Sequence, residues 1–240
     1  MTTTLAVALD TSDLPTALRW AGAVGPHVST VKVGLELYLR HGADAVRGAR
    51  AASGGRAVFL DLKLHDIPNT VAGAARAVAD LSPDYLTVHA AGGPAMVRAA
   101  ADALPDTRIA AVTLLTSLGR PDLDAMGLPE PPGDVVRRLA ALAVGAGARA
   151  VVCSPHEVAA VRREVGPDIT LITPGVRPAG AANADQSRVA TPEQAARDGS
   201  DLVVVGRPVT GAPDVAGAAR LVSEQLAEAS VTTSPSSART

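Results

Sequence analysis

Residues 57–70 read Ala57-Val58-Phe59-Leu60-Asp61-Leu62-Lys63-Leu64-His65-Asp66-Ile67-Pro68-Asn69-Thr70. Successive side chains of a strand point to opposite faces. Val58, Leu60, Leu62 and Leu64 therefore share one face, suited to lying under helices. Ala57, Phe59, Asp61 and Lys63 share the other, and two opposite charges emerge at the carboxyl end of the strand. Asp66 and Asn69 are candidate helix caps, with Pro68 near a first helical position. Val71, Ala74, Ala75 and Val78 then recur at helical spacing. The segment reads as a strand that passes directly into a helix.

The same unit recurs along the chain. Strand patterns fall at residues 5–10, 30–35, 57–63, 85–90, 108–115, 149–154, 170–174 and 201–206, each followed by an Ala-rich helical stretch. Such alternation means parallel strands joined by crossover helices. Ser154-Pro155-His156-Glu157 has the form of a capping box with Pro at the first helical position, and Thr191-Pro192-Glu193-Gln194 resembles it. Gly166 and Gly199 stop the two helices that follow. Eight such units in one chain of 240 residues predict an α/β fold, a single (β/α)8 TIM barrel over residues 1–229. A doubly wound open sheet is the alternative. Residues 230–240 are rich in Ser and Thr without periodicity, and are expected to be a disordered tail.

Composition narrows the class. Hydrophobic residues make up 47% but aromatic ones only 2%, so the core must come from Ala, Val, Leu and Ile. The net charge is −2, and no basic run or aromatic platform appears, which argues against nucleic acid as the main partner. A single cysteine, Cys153, excludes an internal disulfide and fits a reducing cytoplasm. It reads as a small buried core residue. No signal peptide and no apolar stretch of membrane-spanning length is read, so the expectation is a cytoplasmic protein away from membranes.

Lysine usage is the sharpest compositional signal. Lys and Arg total 22, yet only Lys32 and Lys63 are lysines. An arginine cannot replace a lysine as a proton donor, because its pKa stays above about 12. Lys32 shares a strand face with Gly34, Lys63 with Asp61, and Asp10 ends the first strand in the same way. Active sites of such barrels lie at the carboxyl ends of the strands, so charges from three consecutive strands converge on one mouth. A structural ion-pair network setting barrel register is the competing reading. It has no need of so many charges at the catalytic end.

The string from Asp61 to Thr70 closely resembles the signature of the orotidine 5′-monophosphate decarboxylase family. Asp61-x-Lys63-x-x-Asp66 is shared with sister phosphosugar enzymes, but the continuation through Ile67-Pro68-Asn69-Thr70 is much more specific. The resemblance extends over Leu5–Asp10, Lys32-Val33-Gly34, Leu114-Leu115-Thr116-Ser117, Thr173-Pro174-Gly175-Val176-Arg177, Asp185-Gln186 and Val205-Gly206-Arg207, in the expected order.

The resemblance implies a role at each position. Asp10 and Lys32 would hold ribose hydroxyls. Lys32, Asp61, Lys63 and Asp66 would form an alternating charge network and carry catalysis, with Asp66 and Thr70 reaching into the partner subunit's site of a homodimer. Thr116 would hydrogen-bond the pyrimidine, and Gln186 would bridge base and phosphate. Arg177, Gly206 and Arg207 would hold the phosphate. Barrel geometry agrees with the last assignment, since phosphate sites commonly involve the loops after strands seven and eight, where a glycine admits an anion and a helix N-terminus can add its dipole. Residues 176–189, without periodicity, read as a lid. His65 would follow Lys63's face only if the strand continued, which Pro68 opposes, so packing or support of its neighbours is the expected role.

The implied reaction is decarboxylation of orotidine 5′-monophosphate to uridine 5′-monophosphate. Loss of the carboxylate at C6 leaves electrons that the ring π system delocalises poorly. A cation held there can stabilise the carbanion and then protonate it, and Lys63 fits both tasks, kept charged by Asp61 and Asp66. No cofactor or metal is required. One rival is a magnesium-dependent decarboxylase or aldolase of the same superfamily, but those relatives carry an acidic metal ligand where this chain has Lys32. The other is a barrel that binds nucleotides without turnover.

Overall fold

The computed structural model describes residues 2–177 and 190–232. Eight parallel strands close into a barrel in chain order: β1 (Thr4–Ala8), β2 (Thr30–Gly34), β3 (Ala57–Leu64), β4 (Tyr85–His89), β5 (Arg108–Val112), β6 (Ala150–Val152), β7 (Thr170–Thr173) and β8 (Leu202–Val205). The closing pair is β1 with β8, in register at Thr4 with Leu202 and Val7 with Val205. The sheet is closed, so the open-sheet alternative is excluded. All eight expected strands form, most of them shorter than their sequence pattern at the carboxyl end. Leu35, for instance, opens the helix Leu35–His41 and is exposed.

The period-two pattern has its expected result. Val7, Val31, Val33, Val58, Leu60, Leu86 and Val88 face outward into a continuous core beneath the helices. The inner face packs Ala6, Ala8, Phe59, Ala110, Ala150, Ile172, Leu202 and Val204 into a separate cluster that fills the barrel. Here composition understates one residue. Phe59, the sole phenylalanine, fills the interior space left by alanines on three strands, and its ring meets Tyr85 edge-on at 5.8 Å.

Helix ends differ in detail from their sequence signals. Glu157 accepts the Ser154 N–H at 3.0 Å, as the capping box requires, but the Ser154 hydroxyl has no partner among the described residues. Thr191 caps the helix Pro192–Arg197 through the Gln194 N–H, whereas the Gln194 side chain turns away to Asp198. After β3 neither Asp66 nor Asn69 is the cap. The helix Pro68–Ala77 starts at Pro68 without a side-chain cap, and Asp66 accepts from the adjacent Ile67 N–H at 2.6 Å. The last helix, Val215–Thr232, runs three residues into the stretch expected to be disordered; residues 233–240 lie outside the described residues. No helix among the described residues is long and apolar enough to cross a membrane.

Candidate active site

The carboxyl ends of the strands surround a cavity of about 450 Å³, a size suited to a small ligand. Of the residues expected at the site, Asp10, Lys32, Asp61, Lys63, Thr116, Arg177, Gly206 and Arg207 all line it. Asp66 and Thr70 do not; both are exposed at the start of the segment after β3. Gln186 and most of the expected lid lie outside the described residues.

Four charges form an alternating chain across three strands. Lys32 Nζ lies 2.9 Å from Asp10 Oδ1 and 3.3 Å from Asp61 Oδ2. Lys63 Nζ lies 2.8 Å from both oxygens of Asp61. The side chains of Lys32 and Asp61 are only 10% and 11% exposed, and isolated charges at such depth would cost several kcal/mol each. Pairing reverses the effect of burial. Burial disfavours the Lys32 ammonium, but Asp61 and Asp10 outweigh it and hold its pKa above the ordinary lysine value. Burial likewise disfavours the Asp61 carboxylate, yet Lys32 and Lys63, with hydrogen bonds from Lys63 and Thr87, hold its pKa below the usual range.

Gly34 permits this approach. Its φ of −92° and ψ of −179° suit any residue. A Cβ there, however, would sit 2.6 Å from Asp10 Oδ1 and 3.0 Å from Lys32 Nζ. Space, not backbone conformation, requires the glycine.

Lys63 departs from strand geometry. Its φ is 48°, a left-handed conformation that costs a non-glycine residue about 1–3 kcal/mol. Pairing of β3 with β4 slips at the same point: Leu60 pairs with Leu86, but Leu64 with Val88. Four residues of β3 thus span two of β4, a bulge of two extra residues. Thr87 of β4 stands at the slip. Its hydroxyl accepts the Lys63 backbone N–H at 2.8 Å and donates to Asp61 Oδ1 at 3.0 Å. Sequence reasoning missed Thr87. The available signal was a polar residue on the inward face of β4, between Tyr85 and His89, with Leu86 and Val88 on the outer face.

The bulge also takes His65 off the inner face. Its ring rests on His89, with centroids 5.2 Å apart, and it does not line the cavity. Burial, followed by His65 and Lys63, lowers the His89 pKa against the opposing pull of Asp61. Cys153, just after β6, borders the cavity but is buried, and burial pushes its thiol pKa upward, away from reactivity.

The opposite rim belongs to β7 and β8. The Arg177 N–H donates to Ala190 O at 2.9 Å, tying together the two ends of the segment between them. At Gly206, which lines the cavity, a Cβ would meet Ala8 Cβ at 3.7 Å, an ordinary contact, so no atom of the described residues demands the glycine. The helix that follows, Arg207–Thr210, is a single turn. Its dipole is therefore slight, and the Arg207 charge is the larger attraction for an anion on this rim.

The fold and its mouth define a class: a (β/α)8-barrel protein with an alternating ionic chain on one rim of its cavity and arginines on the other. Residues 3–222 match the model of the orotidine 5′-phosphate decarboxylase / HUMPS family. An orotidine 5′-phosphate decarboxylase of Thermobifida fusca is 66% identical over 229 residues, covering 94% of this chain and 97% of the relative. One from Frankia casuarinae is 58% identical over 241 residues, covering 94% and 88%. The crystal structure of orotidine 5′-phosphate decarboxylase from Lactobacillus acidophilus superposes with a TM-score of 0.82 at 35% identity, covering 94% of this chain and 99% of that one. The chain belongs to the orotidine 5′-phosphate decarboxylase / HUMPS family.

Proposed function

We propose that the chain decarboxylates orotidine 5′-monophosphate to uridine 5′-monophosphate, the step that completes a pyrimidine nucleotide, and that Lys63 is the proton donor. The observation that carries this reading is the Asp10–Lys32–Asp61–Lys63 chain at the barrel mouth. In the reaction the bond from C6 to the carboxylate breaks, carbon dioxide leaves, and the electron pair stays on C6. The Lys63 ammonium stabilises that pair and transfers a proton to it, and the resulting amine regains a proton from solvent. The chain of charges is set before substrate arrives, so little reorganisation accompanies the step. In this reading Asp10 and Lys32 hold ribose hydroxyls and Thr116 hydrogen-bonds the pyrimidine; all three line the cavity. Phosphate contacts from Arg177, Gly206 and Arg207 would supply binding energy remote from the reacting carbon. Gln186 completes the set as a bridge between base and phosphate.

Both Asp61 oxygens are already engaged by ammonium groups, and Lys32 adds a positive charge beside them. This arrangement repels a divalent cation and supports chemistry without a metal. A homodimer with shared sites is part of the same reading. Asp66 and Thr70 are exposed and outside their own chain's cavity. Apolar Leu35, Leu39 and Ile67, all exposed, follow the adjacent strands β2 and β3, a surface that a second copy would cover. Given orotidine 5′-monophosphate, the purified protein should form uridine 5′-monophosphate and carbon dioxide in equal amounts, and should leave keto-sugar phosphates untouched. Turnover of a sugar phosphate without turnover of the nucleotide would assign the chain to the family's other branch.

The phosphate assignment has its own test. Arg207→Ala should lower the efficiency ratio kcat/KM for the nucleotide by roughly ten- to a hundredfold, the worth of one charge-assisted hydrogen bond. The nucleoside orotidine lacks the phosphate, so its slow turnover should barely respond. Equal losses for both substrates would instead give Arg207 a role in the fold or the catalytic centre.

A further inference from the structure

We infer that Thr87 is a positioning residue for the reaction: its hydroxyl holds the β3 bulge in the conformation that returns the Lys63 ammonium onto Asp61. The inference rests on the decarboxylase reading above. Three observations converge on it. Lys63 has a positive φ, the β3–β4 ladder slips by two residues at that point, and the Thr87 hydroxyl bonds both partners of the ion pair. The bulge takes the Lys63 N–H out of the regular ladder, and Thr87 gives it an acceptor inside the sheet. The same hydroxyl then spends its own proton on Asp61 Oδ1.

The result is a closed circuit. Lys63 reaches the Asp61 carboxylate directly through Nζ and indirectly through its backbone and Thr87. Backbone and side chain of one residue are thereby referenced to one carboxylate, which fixes the ammonium's position relative to the strand end. A left-handed lysine persists where its surroundings over-determine it, and Thr87 is the side chain that does so here. Thr87 is fully buried and does not line the cavity, so it acts through Lys63 and Asp61 and not on substrate.

The test compares kcat and KM for orotidine 5′-monophosphate in wild type, Thr87→Val, Thr87→Ser and Thr87→Ala, with thermal unfolding of each. Valine keeps the shape and loses the hydroxyl. It should lower kcat by roughly ten- to a hundredfold with KM nearly unchanged, and serine should restore most of the loss. The serine and alanine variants both lack the methyl group, so their difference reads the hydroxyl even if the valine protein does not fold. A valine variant with wild-type kcat, or serine and alanine variants equally impaired, would overturn the inference. Inactivity of the wild type would instead remove the decarboxylase reading on which it rests.

Discussion

Lys63→Ala should lose turnover of orotidine 5′-monophosphate while keeping its fold. Removing a positioned general acid costs about 10²–10⁴ in rate, and removing a preorganised charge at the reacting centre about 10²–10³ more. The combined loss should be at least about ten-thousandfold. The fold should survive because Asp61 retains Lys32 at 3.3 Å and because Lys63 stands at the strand end, partly open to the cavity. Lys63→Arg should fail as well, since a guanidinium gives up its proton only above about pH 12 and is broader than an ammonium. Steady-state kinetics with thermal unfolding of both variants decides the matter. Near-normal turnover by the arginine variant would remove Lys63 as the proton source.

The second large effect is a recovery of activity from two inactive proteins. Asp66 lies outside its own chain's cavity although it belongs to the same motif as Asp61 and Lys63. If it completes the partner's site, Lys63→Ala and Asp66→Ala subunits should complement one another. A mixed dimer carries both lesions in one site and neither in the other. Random assortment of equal amounts makes about half the dimers mixed, with one of two sites intact, so about a quarter of wild-type activity should return. Verified heterodimers without activity would place Asp66 in its own subunit's site or outside catalysis.

Much of this structure is legible in the sequence because each strand repeats one physical pattern. Val, Leu and Ile at every second position specify the outer face, and the inward positions bring Asp10, Lys32, Asp61 and Lys63 to one end. What escapes the pattern is set by contacts between strands. The positive φ of Lys63 depends on an acceptor supplied by Thr87, 24 residues away, and local periodicity carries no trace of it. His65 follows: parity would carry it inward, but the bulge puts it against His89. The role of Gly34 is hidden for a related reason. Nothing in its backbone conformation asks for glycine, and the need appears only when Asp10 and Lys32 are seen to converge on the space a Cβ would take. Asp66 and Thr70 stand furthest from a reading within one chain, since the groups they are proposed to serve belong to another copy.

In the proposed reaction the Lys63 ammonium, and not a divalent cation, supplies the positive charge at the reacting carbon. The most direct test is turnover of orotidine 5′-monophosphate by protein stripped of metal and assayed in excess chelator, with and without added magnesium. We predict the same rate in both, with uridine 5′-monophosphate and carbon dioxide formed in equal amounts. Activity that vanished with the chelator and returned with magnesium would contradict the account.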